Sequence, residues 1–234
     1  ALFTLAATKE NSFAAFALGK LYLAGDAALP RDPAAALKWL TYAAELGNQF
    51  AQYRLGKLLL KGDDGIPKDV ITAIRWLTAA AKQENGYAEY ALALVYLTGE
   101  DAPKDSVKAL SLLKRSAGRG NQFAQYRLGK LLLQGEDAPK DVKAAIRWLT
   151  AAAEQGNQYA QYALGKLYLL GKEVPKDRSS AIKWFQLAAD QGNEYAQYFL
   201  KHMDDRLGQP PVAAVISLFH LSLIHISEPH ETLS

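Results

Sequence analysis

The sequence predicts an all-α solenoid built from repeated pairs of helices, and a fixed spacing of asparagines is the main reason. These residues follow one another in steps of 37, 36, 36 and 36 positions, at Asn48, Asn85, Asn121, Asn157 and Asn193. The pentapeptide Gln-Phe-Ala-Gln-Tyr at 49–53 also returns unchanged at 122–126, and with Tyr in place of Phe at 158–162. A period in the mid-thirties is typical of helical repeat proteins, whose function depends on an extended surface and not on one pocket.

The first helix of each repeat is predicted to start after an asparagine, as the unit 48–84 illustrates. Asn48 is placed to cap that helix, because its side-chain oxygen can accept hydrogen bonds from free backbone amides. Apolar residues then recur at helical spacing and predict one buried face, formed by Ala51, Leu55, Leu58 and Leu59. Gly62 is expected to end the helix.

The second helix is predicted after a loop that contains Pro67, since proline cannot continue an α-helix. Asp69 is placed to cap this helix. Its predicted core face consists of Ala73, Trp76, Leu77 and Ala80. A turn at 84–86 then leads into the next unit.

The same capping residues, loop residues and apolar positions recur along the whole chain. They predict five complete units, at 11–47, 48–84, 85–120, 121–156 and 157–192. Residues 1–10 align with the second helix of a preceding unit, and 193–220 are expected to form a terminal half-repeat and a capping helix. Residues 221–234 resemble the translation of a sequencing adapter, so we expect a non-native tail there.

Small and large residues at fixed positions predict how the two helices of a unit pack. A glycine recurs in the middle of the first helix, at Gly19, Gly56, Gly129 and Gly165. Such a glycine costs about 1 kcal/mol relative to alanine, so its repetition predicts a close helix–helix approach. We expect its partners to be the alanine pairs at 43–44, 80–81, 152–153 and 188–189. We expect the indole rings of Trp39, Trp76, Trp148 and Trp184 to lie in the core.

These marks together resemble a known repeat. Leu-Gly in the first helix, Gly…Pro-Lys-Asp in the loop, Ala…Trp and Ala-Ala in the second helix, and Gly-Asn at the turn are similar to the Sel1-like repeat, a relative of the tetratricopeptide repeat. The resemblance implies antiparallel helix pairs in a right-handed superhelix, with the first helices lining the concave side. It also implies an adaptor or scaffold that binds proteins or peptides.

The candidate binding surface is a stripe of aromatic and lysine residues on the first helices. Its predicted members are Phe50, Tyr53, Lys57, Tyr87, Tyr90, Phe123, Tyr126, Lys130, Tyr159, Tyr162 and Lys166. Stacked repeats would turn them into two aromatic ladders beside a lysine ladder, which suits a peptide with acidic and apolar residues. The alternative is that the rings pack between repeats and the lysines form a solvated surface.

Other function classes find little support in the sequence. There is no cysteine, and His202 is the only histidine before residue 220, so a transition-metal site is not expected. No glycine-rich phosphate loop or nucleophile elbow is present, and we therefore predict no enzyme, no cofactor and no small-molecule substrate. The net charge is only +3 with both signs interspersed, which makes nucleic acid an unlikely partner. No apolar stretch is long enough to predict a membrane span.

Two alternatives remain open. Two segments resemble repeat tracts of relaxase-type plasmid mobilization proteins from Gram-positive bacteria. They are the sequence Gly-Asn-Gln-Tyr-Ala-Gln-Tyr and the segment 198–205. This resemblance implies a non-catalytic accessory region of a cytoplasmic protein. Weak nucleic-acid binding is the other alternative, through the lysines together with Arg54, Arg75, Arg127 and Arg147.

Overall fold

The computed structural model describes residues 11–26, 29–62 and 65–202, and within these ranges it is helical without a β-strand. First helices alternate with second helices along the chain. The first helices are α1 (Ser12–Ala24), α3 (Gln49–Lys61), α5 (Gly86–Thr98), α7 (Gln122–Gln134), α9 (Gln158–Leu170) and α11 (Glu194–His202). The second helices are α2 (Pro33–Glu45), α4 (Val70–Lys82), α6 (Ser106–Gly118), α8 (Val142–Glu154) and α10 (Arg178–Asp190). The predicted all-α class and the repetition of helix pairs are confirmed.

Side-chain caps start both kinds of helix. The Oδ1 atom of Asn48 accepts hydrogen bonds from the amides of Phe50 and Ala51, each at 3.0 Å. At the start of α4, Oδ1 of Asp69 accepts one from the amide of Thr72, also at 3.0 Å. These bonds satisfy amides that a first helical turn leaves without partners, and the predicted caps are confirmed.

Each second helix runs back along its first helix. The amide of Asp69 donates a hydrogen bond to the carbonyl of Leu59 at 2.9 Å, which joins the start of α4 to the end of α3. The amide of Asp105 makes the same bond to the carbonyl of Tyr96 at 2.9 Å. The two helices of a pair are therefore antiparallel.

The mid-helix glycines allow the close approach that was predicted, but the predicted partner is wrong. A Cβ atom on Gly56 would lie 2.6 Å from Cγ of Leu77 and 3.1 Å from the carbonyl oxygen of Ala73. The facing residue is thus a large side chain at the centre of the second helix, and not the alanine pair near its end. The same contact joins Gly19 to Leu40 and Gly129 to Leu149.

The tryptophans are half-buried, so the prediction that they lie in the core needs correction. The residue after each tryptophan occupies the core instead: Leu77 and Leu149 are fully buried. Trp76 packs against the edge of the core, and the guanidinium carbon of Arg75 lies 5.1 Å from its ring centroid. An indole at this position covers the core and keeps one face available to a cation.

The described residues form two compact units, the first ending at Ala160 and the second beginning at Gln161. In the first unit, ion pairs join the loops of successive repeats, with Lys68 Nζ 2.6 Å from Asp101 and Lys104 Nζ 2.8 Å from Asp137. In the second unit, fully buried Phe185 takes the place of the facing leucine. Its ring lies 5.8 Å from Tyr162 and 5.3 Å from Phe199.

Several predicted segments fall outside the described residues. These are residues 1–10, the part of the terminal half-repeat after His202 including its capping helix, and the expected tail at 221–234. Helix α11 accounts for the start of the half-repeat. Among the helices that the structure describes, none has both the length and the apolar character needed to cross a bilayer.

Candidate interaction face

The predicted binding residues share one side of the first helices. Phe50, Arg54 and Lys57 stand at i, i+4 and i+7 of α3, a spacing that places them on a single helix face. We use the name aromatic face for the following residues of the first unit: Phe13, Phe16, Ala17 and Lys20 on α1; Phe50, Tyr53, Arg54 and Lys57 on α3; Tyr87, Tyr90, Ala91 and Leu94 on α5; Phe123, Tyr126, Arg127 and Lys130 on α7; and Tyr159 on α9.

The rings of the aromatic face pair between repeats, and each pair joins one ring from each of the two predicted ladders. Each first helix carries an earlier ring, such as Phe50, and a later ring three residues on, such as Tyr53. The later ring of one first helix contacts the earlier ring of the next first helix. The centroid distances are 6.4 Å for Phe16–Phe50, 5.9 Å for Tyr53–Tyr87, 6.3 Å for Tyr90–Phe123 and 6.1 Å for Tyr126–Tyr159. Ring pairs at this separation are favourable. They hold neighbouring first helices together.

In the Tyr53–Tyr87 and Tyr126–Tyr159 pairs, the two rings differ in exposure. The earlier ring of a repeat is partly open to solvent, with Phe50 48% and Tyr87 44% exposed. The later ring is buried in two of the repeats of this unit, since Tyr53 is 7% and Tyr126 9% exposed. Phe123, Tyr159 and Tyr90 are half-buried. The buried rings pack between repeats, and ligand contact by them stays a prediction.

Lysine ammonium groups lie over the later rings. Lys57 Nζ is 5.7 Å from the centroid of Tyr53, and Lys130 Nζ is 5.6 Å from that of Tyr126. Burial lowers the pKa of Lys130 below its usual value, and the nearby charge of Arg127 lowers it further. A cation in this position is poorly hydrated and close to another cation, so a carboxylate that approaches it would be stabilised.

Among the residues of the aromatic face that were absent from the predicted site, two are arginines. Arg54 and Arg127 lie beside Lys57 and Lys130, and within the described residues no hydrogen-bond acceptor reaches their buried Nε atoms. Each arginine follows Phe50 or Phe123 by four residues, and this spacing could have placed both arginines on the same helix face from the sequence. Including them changes the lysine ladder into paired cations on α3 and α7.

The first helices of this unit are strongly basic. Helices α1, α3, α5 and α7 carry six Lys or Arg residues and a single acid, Glu89. Glu89 is fully buried, and its carboxylate lies 2.6 Å from Arg115 and 3.3 Å from Arg119 on the second-helix side. It therefore does not offset the positive charge of the aromatic face.

Glu89 belongs to a polar network that sequence inspection missed. In the second repeat, Nε2 of Gln83 donates to Oε1 of Gln52 at 2.8 Å, and in the fourth Gln155 donates to Gln125 at 2.7 Å. The third repeat replaces this glutamine pair with an acid and Arg119. The third repeat differs from the second and fourth at both positions of the pair. This paired difference was the sequence feature that could have revealed the network.

In the second unit, Tyr162 is buried and Lys166 is half-buried. The ring of Tyr162 lies 6.0 Å from that of Tyr195, which repeats the pairing of the first unit. Across the described part of the chain, no group of three or more His, Asp or Glu residues is arranged to hold a metal ion.

Comparison with protein families gives a match over most of the chain. The model of the Sel1 repeat matches five times, at residues 12–48, 49–85, 86–121, 122–157 and 158–193. No curated protein matches the chain.

Solved structures agree with the family match. A protective antigen of uropathogenic Escherichia coli with an SLR fold is 34% identical, with a TM-score of 0.77, and the match covers 88% of this chain and 44% of that one. A Sel1 repeat protein from Oxalobacter formigenes is also 34% identical, with a TM-score of 0.77 and coverage of 86% and 58%. An immunity protein of Pseudomonas aeruginosa, at 19% identity and a TM-score of 0.53, covers 80% of this chain and 71% of that one and shares the fold alone.

The chain thus spans about half the length of the two relatives that resemble it at 34% identity. Sel1 repeat proteins are in general non-catalytic scaffolds that bind protein partners. The five family matches and the two solenoid neighbours agree with the repeats in the structure. This chain belongs to the Sel1 repeat family.

Proposed function

We propose that this chain is an interaction scaffold that holds a segment of a protein partner on the aromatic face. The supporting observation is that partly exposed rings recur on the same side of successive first helices, and that paired cations accompany them on α3 and α7. Aromatic and arginine side chains are enriched where protein interfaces have their strongest contacts. The proposal goes beyond the general role of the family, because it assigns the role to particular residues.

The ring pairs favour binding without rearrangement. Phe50 and Tyr87 are each held against a ring of the preceding repeat, at 6.4 and 5.9 Å. A ring fixed in this way loses little conformational freedom when a ligand covers it, so less entropy opposes association. Apolar groups of the partner would pack on Phe50 and Tyr87, and its acidic groups would meet Arg54 and Lys57.

A peptide library tests this proposal. Peptides selected from a phage-displayed random library on the wild-type chain would be labelled, and their affinities measured by fluorescence anisotropy. The variant Phe50→Ser with Tyr87→Ser should weaken binding at least about tenfold, as expected for central interface rings. Circular dichroism would establish that this variant remains folded.

The matched control removes two apolar side chains from another surface. Ile71 and Val107 on the second helices are 85% and 82% exposed. Replacing both with serine should leave the affinities unchanged. An equal loss in the control, or full binding by the folded Phe50 and Tyr87 variant, would refute the proposal.

Nucleic acid is the competing ligand for a basic surface. If an unlabelled DNA duplex displaced the peptides, and its affinity fell linearly with the logarithm of salt concentration, phosphate recognition would replace the proposed function. Displacement by neither single-stranded nor double-stranded oligonucleotides supports the protein partner.

A further inference from the structure

The aromatic face is interrupted in its middle, and this interruption carries information about the partner. The first helices of the second and fourth repeats have the same sequence at 49–60 and 122–133, including an arginine and a lysine. The third repeat has Ala91 and Leu94 at the two cation positions, both half-buried. Beyond the single Lys20 of α1, the face therefore has a cationic part on α3, an apolar part on α5 and a second cationic part on α7.

The two cationic parts are built alike. Arg54 and Arg127 each have a buried Nε atom, and Lys57 and Lys130 each lie over a tyrosine ring at 5.7 and 5.6 Å. In the free protein, the positive charges on α7 are close enough to disfavour one another, since Arg127 helps to lower the pKa of Lys130. Two sites of the same residue composition for an anionic group therefore stand two repeats apart.

Around these sites, the acids within the described residues are engaged with other groups. Glu89, on the helix between them, is fully buried against Arg115 and Arg119. Asp137 lies near enough to Arg127 to be affected by its charge, but its carboxylate is held by Lys104 at 2.8 Å and by Ser106 at 2.7 Å. The acids at the starts of the second helices, such as Asp69, accept hydrogen bonds from backbone amides.

The apolar part suits an uncharged stretch of the partner. Tyr87 is 44% exposed and packs on Tyr53, while Tyr90 packs on Phe123 at 6.3 Å. Leu94 replaces the lysine that would otherwise lie above Tyr90. A carboxylate placed over α5 would lose water without gaining a cation, so this position selects against acidic residues.

On the basis of the proposed function, we infer that the partner segment is an extended peptide with two acidic groups about six residues apart and apolar residues between them. Packed helices lie roughly 10 Å apart, so the cations of α3 and α7 are separated by about 20 Å. An extended chain advances about 3.3 Å per residue, which makes this distance about six residues.

Synthetic peptides of graded spacing test the inference. Fluorescein-labelled peptides would carry two glutamates separated by about three, six or nine positions of apolar and small residues. Anisotropy titrations against the full chain should give the tightest binding at the middle spacing. Replacing either glutamate with glutamine should weaken binding about tenfold, the loss expected for one charge-assisted contact.

A gain of function makes the test specific to the third repeat. The variant Ala91→Arg with Leu94→Lys gives α5 the cations of its neighbours. It should bind a peptide with an additional central glutamate about tenfold more tightly than the wild-type chain does. Placing lysine at both Ile71 and Val107 adds two positive charges to the second helices and should not produce this gain.

The outcomes separate the inference from the proposed function. If no peptide binds in a manner that depends on Phe50 and Tyr87, the proposed function fails. If peptides bind there, but equally at every spacing or without a response to the Ala91 and Leu94 variant, only the two-acid inference is overturned. A spacing optimum near six that requires both cationic parts establishes it.

Discussion

The hydrogen atom that serves as the side chain of Gly129 decides how closely α7 and α8 approach. A Cβ atom there would lie 2.7 Å from Cγ of Leu149 and 3.1 Å from the carbonyl oxygen of Ala145. We expect Gly129→Ala to lower the free energy of unfolding by about 2 kcal/mol, because overpacking outweighs the gain of about 1 kcal/mol in helix propensity. Urea denaturation followed by circular dichroism measures the change.

Gly118 offers the matched control at the same scale. It lies at the end of α6, and no atom outside its immediate neighbours is within 4 Å of the position that its Cβ would take. Gly118→Ala should stabilise the protein by about 0.5 kcal/mol, because it restricts the unfolded chain. Equal effects at both positions would show that helix propensity, and not interhelical contact, determines the glycine pattern.

Sequence alone identified the packing glycines but not what they contact. The recurrence of a glycine at the position of Gly56 was sufficient to predict close packing there. A mid-helix glycine lowers helix stability, so its recurrence at one position needs a structural reason. Its partner depends on the offset between two antiparallel helices, which periodicity does not report. The structure brings mid-helix to mid-helix, so Gly56 contacts Leu77. The carbonyl of Ala80 accepts instead from the amide of Asn85 in the turn to the next repeat.

At the scale of elements, the third repeat replaces a neutral hydrogen bond with ion pairs. Glu89 is fully buried and contacts Arg115 and Arg119. We expect Arg119→Gln alone to destabilise the protein by about 1 to 3 kcal/mol, because it leaves the buried carboxylate of Glu89 with one cationic partner fewer. Glu89→Gln alone should also be destabilising, because it removes the anion that Arg115 and Arg119 share. The two changes together should restore stability, since they recreate the Gln52–Gln83 bond of the second repeat.

A double-mutant cycle measures this compensation. The sum of the two single losses should exceed the loss in the double variant by at least about 1 kcal/mol, the coupling expected for residues in direct contact. Additive losses would mean that the two residues act separately. Such a result would also weaken the argument that buried Glu89 leaves the aromatic face positively charged.

Loop ion pairs connect the third and fourth repeats. The pKa of Asp137 lies below its usual value of 3.8 because Lys104 and then Ser106 donate hydrogen bonds to the carboxylate. A depressed folded-state pKa stabilises the protein above 3.8, and the contribution is lost as pH falls through the lower value. Asp137→Asn should therefore cost about 0.5 to 1 kcal/mol at neutral pH and progressively less in acid.

Chemical denaturation at a series of pH values tests this dependence. The neighbouring variant Glu136→Gln serves as the control, because Glu136 is exposed in the same loop. It should change the stability at neutral pH by less than about 0.5 kcal/mol. A loss for Asp137→Asn that stays constant down to strongly acidic conditions would contradict the role assigned to the carboxylate.

The elements themselves were largely predictable, for reasons that are local. Asn48 and Asp69 start helices through bonds to amides two or three residues away, and Gly62 ends one, so a short window contains the necessary information. Packing of the rings between repeats was one of the two alternatives that the sequence left open, but the partner of each ring was not predictable. Tyr53 could contact Tyr90, which holds the equivalent position in the next repeat, or Tyr87, which does not. The structure has the contact to Tyr87, and this choice depends on the stagger of successive first helices.

For the molecule as a whole, the repeats of the first unit act as modules. Each first helix packs on the second helix before it, and the sequences of α3 and α7 are nearly identical. Stability in such a chain is approximately a sum of repeat and nearest-neighbour contributions. Removing residues 85–120 would therefore join the second repeat to the fourth through an interface of the existing kind, with Tyr53 facing Phe123.

We expect this deletion to give a cooperatively folded helical protein of lower stability, and to bring the cations of α3 and α7 within about 10 Å of each other. The best glutamate spacing in a bound peptide should then fall from about six to about three residues. Circular dichroism and anisotropy measure the two results separately. Deleting only 85–102 removes half a repeat and should abolish cooperative folding, since it places two second helices in succession. If both deletions unfold the protein equally, the repeats are not interchangeable modules. If the shorter chain folds but keeps the original spacing, the two cationic parts do not determine the position of the acids.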